Sequence, residues 1–235
     1  VAPVAMQQGR YAARLVRDDL SAIERETTRV AVLYHPVFEP EVSRRDALPQ
    51  EGALTIGTFG APSVSKATDT VLAAVRILRN RGVDAKLVIA GFDAHYFAEG
   101  ELAKNEGKGW LELAEPTTER ELQLDMLKCD VAVQLRRSNL GESSGVVPTL
   151  LALGVPTIVS SVGAFAEYGD AAIAFEGYDP VALADLLQAG PRVDELAMQR
   201  YAREHSLAAY NARLLALLGL ETPVVAQVTS LRAQP

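Results

Sequence analysis

Two cations, a carboxylate and a run of small residues mark this chain as one that could hold an anion. The stretch Leu135-Arg136-Arg137-Ser138-Asn139-Leu140-Gly141-Glu142-Ser143-Ser144-Gly145 runs directly into an apolar, helix-length segment. That segment stops at Gly154-Val155-Pro156, and a β-branched run at 157–160 follows. The order reads as strand, loop, helix, strand. Free backbone amides at a helix start attract anions, and Gly or Ser there lets a ligand approach the backbone. Arg136 stands where the first strand ends and can grip a phosphate with two parallel hydrogen bonds. Arg137 should alternate to the other side of the strand, so Arg136 is the better candidate. Glu142 can accept hydrogen bonds from hydroxyls of the same ligand, although alone it would read as a helix-start carboxylate that favours the dipole. A diphosphate joined to a sugar meets both demands.

A second loop has related chemistry. In Gly57-Thr58-Phe59-Gly60-Ala61-Pro62-Ser63-Val64-Ser65-Lys66 a strand ends at Gly60, and Lys66 falls at or near the first turn of the next helix. A cation there opposes the helix macrodipole, which makes sense if an anion binds beside it. By itself this lysine reads about equally well as a solvated surface residue. The spacing fits neither a Gly-x-Gly-x-x-Gly dinucleotide loop nor a P-loop ending in Gly-Lys-Ser/Thr. A third loop, Ser160 to Glu167, is again small at its start. Gly91-Phe92-Asp93 closes a further strand, its glycine suiting a positive φ or a close neighbour.

The elements that must position these loops alternate along the chain. Strand-length apolar runs fall at 30–34, 54–59, 85–90, 131–135 and 157–160, with a weaker one at 110–113 and a late one at 171–175. From Thr70, the residues Val71, Ala74, Val75 and Leu78 repeat at helical spacing until Asn80-Arg81-Gly82. Thr117 to Glu121 looks like a capped helix start. Near-continuous apolar strands between amphipathic helices imply a parallel sheet covered on both faces. The expected fold class is α/β, a doubly wound parallel sheet from about Leu54 to about Ala189 with flanking helices. In such a sheet, ligands bind outside the carboxyl ends of the strands, where these loops lie.

Composition narrows the function classes. The chain has 235 residues, 49% of them hydrophobic, so it can bury a sizeable core. A formal net charge of −7 argues against non-specific nucleic-acid binding. No apolar run reaches the length of a membrane span. The lone Cys129 has no partner in the chain and reads as core filler in a reducing, cytoplasmic setting. His35, His95 and His205 lack metal-ligand spacing, so no metal site is expected. There is no signal-peptide pattern, and a first residue of valine suggests a piece of something longer. Residues 6–27 read as a charged amphipathic helix, and 193–220 as one or two further helices.

Taken together, these residues resemble the C-terminal, donor-binding half of a GT-B glycosyltransferase and are most similar to glycosyltransferase family 4. The resemblance covers about Ala5 to Leu220. Gly60 and Lys66 match the family's loop that binds the donor diphosphate, with Ala61 where an arginine often stands. Leu135, Arg136 and Gly141 to Gly145 match a family pattern of Leu-Arg, four residues, then Gly-Glu-Ser/Thr-Ser-Gly. The resemblance implies that Lys66, Arg136 and Glu142 serve catalysis, and that Gly60 and the amides of Ser143, Ser144 and Gly145 hold the diphosphate. Thr149 falls at about the position of a second, ribose-binding glutamate. It implies a Rossmann-like nucleotide-sugar-binding domain at 52–220. Residues 1–36 would end an N-terminal domain and cross over, with a linker at 37–51 and a tail at 221–235.

The activity so implied is transfer of a hexose from a nucleoside diphosphate sugar, with retention and without a metal or other cofactor. The acceptor would be a sugar or lipid-linked glycan bound by a missing N-terminal domain, at a cytoplasmic site that includes the inner membrane face as an option. The fragment alone should be inactive. The competing reading is a catalytically silent nucleotide-sugar-binding or interaction domain. An NAD-dependent dehydrogenase lacks its glycine fingerprint here.

Overall fold

The computed structural model describes residues 33–43, 52–97, 109–137 and 143–218. Among them, β1 Leu54–Phe59, β2 Ala85–Ala90, β3 Leu111–Ala114, β4 Val131–Gln134, β5 Thr157–Ser160 and β6 Ile173–Phe175 form one sheet. Every neighbouring pair is parallel. The order across the sheet is β3-β2-β1-β4-β5-β6. The chain winds outward from β1 in one direction, then returns to β4 and winds outward in the other. A doubly wound sheet of this order has its switch point, and its ligand crevice, between β1 and β4.

Side-chain alternation builds the two faces. Ile56, Leu87, Ile89, Val131 and Val133 point to one face, where α1 Thr68–Asn80 and α4 Pro180–Gln188 cover them with Val71, Val75, Leu78, Leu183 and Leu187. Phe59, Val88, Ala90 and Ala132 point to the other, beneath Met126 of α2 Glu119–Leu127 and Leu150 of α3 Val146–Ala152. Each of these larger side chains contributes about 1.5–3 kcal/mol by leaving water. The expected cap at α2 is present: Thr118 Oγ1 accepts from Glu121 N at 3.2 Å, and Glu121 Oε2 accepts from Thr118 N at 3.2 Å.

A third cluster joins β5 to the C-terminal helix α5 Glu195–Glu204; α6 Leu207–Leu217 follows and buries none of its residues fully. A row of rings runs through it. Phe165 meets Tyr168 with centroids 5.8 Å apart, Tyr168 meets Tyr201 at 5.5 Å, and Tyr201 stacks on His205 at 4.1 Å. His205 in turn meets Tyr34 at 5.4 Å.

The described part of the expected strand at 30–34 differs from expectation. Leu33 and Tyr34 form no strand, and the other residues of 30–34 lie outside the described set, as do 6–27 and the tail at 221–235. The stretch read as a linker is described only to Ser43, and that part lies against the domain. Val37 pairs with Ser206: Val37 N donates to His205 O at 2.7 Å, and Leu207 N donates to Val37 O at 3.1 Å. Glu41 N donates to Gln123 Oε1 at 2.8 Å, and Val42 is buried beside Met126. Two buried apolar side chains, Val37 and Val42, and three hydrogen bonds made by its backbone tie the segment to the domain. No helix among the described residues is long and apolar enough to cross a membrane.

Gly57 and Cys129 interlock beneath β1. A Cβ on Gly57 would lie 2.6 Å from Cys129 Sγ and 2.6 Å from the Phe59 ring. Burial, with Asp130 and Asp125 nearby, pushes the Cys129 thiol well above its ordinary range, so it packs rather than reacts. Gly57→Ala should cost about 1–3 kcal/mol through overpacking. Urea denaturation will read this as a lower midpoint at unchanged slope, and Cys129→Ala in the same chain should recover part of the loss. An unchanged midpoint in the single variant would contradict the tight slot.

Candidate functional site

The first loop leaves β1 through a contact that only glycine permits. A Cβ on Gly91 would lie 2.4 Å from the carbonyl carbon of Gly60 and 2.5 Å from its oxygen, so the two loop backbones touch. Gly60 itself has φ +87, a conformation that L side chains rarely adopt. Its N–H donates to Ala90 O at 2.8 Å, which keeps the loop anchored to β2.

Beyond Gly60 the chain makes a short 3-10 turn, Val64–Lys66, rather than entering α1 directly. Ser63 caps the turn, its Oγ accepting from Lys66 N at 3.3 Å. Ala67 then takes φ 51 and ψ 33, a left-handed bend that costs an alanine about 1–2 kcal/mol. The expectation that Lys66 falls at or near the first turn of the helix is met at the near side: the bend sets it just before α1. The lysine folds back over Gly60, where a Cβ would be 3.1 Å from Lys66 Nζ and 3.8 Å from Val146 Cγ2. Val146 is the first residue of α3, so the lysine of the first loop and the helix start of the second stand over the same glycine.

The second loop sends its two arginines apart, continuing the alternation of β4. Arg137 turns toward α1. Its Nη2 donates to Asp69 Oδ2 at 2.6 Å and to Thr70 Oγ1 at 3.0 Å, and its guanidinium lies 5.5 Å from the Tyr178 ring centroid. Its N–H donates to Ser65 O at 2.8 Å, clasping the two loops together. Arg136 turns the other way, with its guanidinium 5.5 Å from the Phe165 centroid and Nη1 donating to Leu135 O at 3.0 Å. Its backbone is held closely: Ser160 Oγ accepts from Arg136 N at 2.7 Å, and Tyr178 Oη donates to Arg136 O at 2.6 Å. Arg136 therefore reaches toward the third loop, while Arg137 serves the first.

At the start of α3, Ser143 and Ser144 are both buried and Gly145 is half-buried. Ser144 Oγ accepts from Val147 N at 3.3 Å, a capping bond, and its carbonyl accepts from Tyr168 Oη at 3.5 Å. Ser143 Oγ donates to Glu167 Oε1 at 3.4 Å, so the second and third loops also meet. Thr149 donates its hydroxyl to Gly145 O, one helical turn back, at 3.3 Å. Glu142 lies outside the described residues, together with 138–141.

The structure thus gathers Gly60, Lys66 and the start of α3 at the switch point, with Arg136 on the side facing Phe165. Sequence reading gave no role to Gln134, Ser160 or Tyr178. A buried glutamine in an otherwise apolar strand was a signal for the first of these. Tyr178 carried none, because its partner is a backbone carbonyl 42 residues away in sequence. Among the described residues no group of three or more His, Cys, Asp or Glu side chains gathers to hold a metal ion. A groove of about 410 Å³ lies elsewhere, lined by Leu151, Gly154, Glu195, Met198 and Ala202 among others. It has no cationic side chain and does not suit a diphosphate.

Known proteins share the fold. A search of curated proteins finds no match. Among solved structures, Anabaena HepE in complex with UDP-glucose is similar with a TM-score of 0.58 at 12% identity, over 71% of this chain and 49% of that one. The α,α-trehalose 6-phosphate synthase of Burkholderia multivorans matches with a TM-score of 0.57 at 15% identity, over 72% of this chain and 42% of that one. A GtfA/B complex matches with a TM-score of 0.61 at 13% identity, over 88% of this chain and 43% of that one. The chain therefore spans less than half the length of the solved structures it resembles, and at these identities they show the fold, the Rossmann-like half of a GT-B architecture. A family model described as glycosyl transferases group 1 matches residues 51–189. That range takes in the whole sheet and all three loops, and the chain belongs to the group 1 glycosyl transferases.

Proposed function

We propose that this chain is the donor-binding half of a retaining glycosyltransferase that moves a hexose from a nucleoside diphosphate sugar to a glycan or lipid-linked acceptor. The observation that carries the reading is the placement of Lys66 Nζ and the start of α3 over one glycine, Gly60, at the sheet's switch point. A diphosphate lying there would meet the Lys66 ammonium and the amides of Ser143, Ser144 and Gly145. Arg136 would reach it from the Phe165 side. These groups would balance the charge that grows on the diphosphate as the glycosidic bond breaks, so the reading calls for neither a metal nor another cofactor. Glu142 would accept hydrogen bonds from the sugar, and Thr149, released from Gly145 O, would donate one to the ribose. No covalent nucleophile enters this scheme; the donor phosphate would assist deprotonation of the acceptor from the same face.

The domain limits follow the same reading, with nucleotide-sugar binding in 52–220 and acceptor recognition in an N-terminal domain. The fragment would then bind the donor but transfer little or nothing alone. One similar structure is a complex with UDP-glucose and others are UDP-forming synthases, so uridine diphosphate is the first ligand to try. Calorimetric titration of the 235-residue chain with uridine, guanosine and adenosine diphosphates should give saturable heat with one of them. Absence of heat with all three would count against the reading. Lys66→Ala should weaken that binding by about 10- to 150-fold, the equivalent of one charge-assisted hydrogen bond of about 1.5–3 kcal/mol.

A silent nucleotide-sugar-binding or interaction domain is the second reading, favoured by Thr149 being turned onto its own helix and by Ala61 in the first loop. Sugar transfer by the full-length protein, abolished in Lys66→Ala or Glu142→Ala, would decide for the enzyme. Binding of the diphosphate without transfer by the full-length wild type would decide for the silent domain.

A further inference from the structure

We propose that Gln134 is the positioning residue that sets the Lys66 loop against the second loop, by replacing with its side chain the ladder bonds that β1 and β4 do not make. The proposal rests on the donor-site reading for its functional meaning, but its geometry stands independently. β1 and β2 stay in register over their full length, through Phe59↔Ala90. β1 and β4 pair only at Ile56↔Val131 and Gly57↔Ala132. Gly60 N–H points to β2, so the peptide groups of Phe59, one residue earlier, point the other way, toward β4. There the strands have already parted.

Gln134 fills that gap. It is 2% exposed, and its neighbours in β4 are all apolar. With the amide oriented by its donor and acceptor partners, Nε2 donates to Phe59 O at 3.2 Å and Oε1 accepts from Phe59 N at 2.7 Å. One carboxamide thus satisfies both peptide groups of Phe59 where the β1–β4 ladder has ended. Phe59 precedes Gly60, over which Lys66 Nζ and Val146 stand. The amide therefore fixes the takeoff of the lysine loop and leaves the crevice open. Leucine would offer neither bond. An ionised glutamate would accept from Phe59 N but place a charged oxygen against Phe59 O; a protonated one could make both bonds.

Two measurements test this on the 235-residue chain. In the ligand-free protein, amide hydrogen exchange in Gln134→Leu should lose at least about tenfold protection across Phe59 to Lys66, while the β2–β3 ladder keeps its own. Unchanged protection in the loop, or equal loss everywhere, overturns the proposal. In Gln134→Glu, uridine diphosphate affinity is compared with wild type at each pH, which cancels the ligand's own titration. The ratio should be near one at about pH 5.5 and fall at least about tenfold by about pH 8.5, as the buried acid is forced to ionise. A flat ratio overturns the proposal, since a role in packing alone would be indifferent to that proton. If the wild type binds none of the three diphosphates, the donor reading fails, and the exchange measurement still decides the role of Gln134.

Discussion

A parallel sheet that opens at its switch point must satisfy the peptide groups it unpairs, and in this chain a single buried amide meets that demand. An unpaired buried peptide group costs about 1–3 kcal/mol, so strands do not separate without a substitute partner. Gln134 provides both the donor and the acceptor that Phe59 lacks. The crevice can then exist without weakening β1, the strand on which both halves of the sheet are built. Every other feature of the candidate site follows from where β1 ends. The contact of Gly60 with Gly91, the turn of Lys66, and the placement of α3 over the same glycine all depend on it.

The charges around that crevice are divided between those that tie the loops together and those set over Gly60 and Phe165. Arg137 is engaged by Asp69 and Thr70 and by the Tyr178 ring, and its backbone joins Ser65. Asp69 lies in the first turn of α1, where a carboxylate also favours the helix dipole. The pair therefore secures the base of the first loop. Lys66, bent out of α1 by the strained backbone at Ala67, is set apart from that pair and directed over Gly60. Strain of this kind persists only where its surroundings enforce it, and it tends to sit at functional sites.

Much of the architecture was legible in the sequence because its signals were local and repeated. β-branched runs located β1, β2, β4 and β5 to within a residue, and Thr118 with Glu121 announced α2. The opposite directions of Arg136 and Arg137 followed from strand alternation alone, and hold even though β4 ends at Gln134. What escaped reading depends on partners distant in sequence. Nothing local says that Val37 will pair with Ser206, or that Tyr178 will bond the carbonyl of Arg136. The 3-10 turn before α1 was hidden for another reason: Ala67 adopts a conformation that composition would assign to glycine.

The row of rings ties the candidate site to the segment that enters the domain. Arg136 rests on Phe165, and from there Tyr168, Tyr201, His205 and Tyr34 follow in unbroken van der Waals succession. Close-packed aromatic side chains resist compression and yield mainly by moving together. The arginine at the mouth of the crevice and Tyr34, in the segment that leads into the domain, thus stand at opposite ends of one continuous row of packed rings.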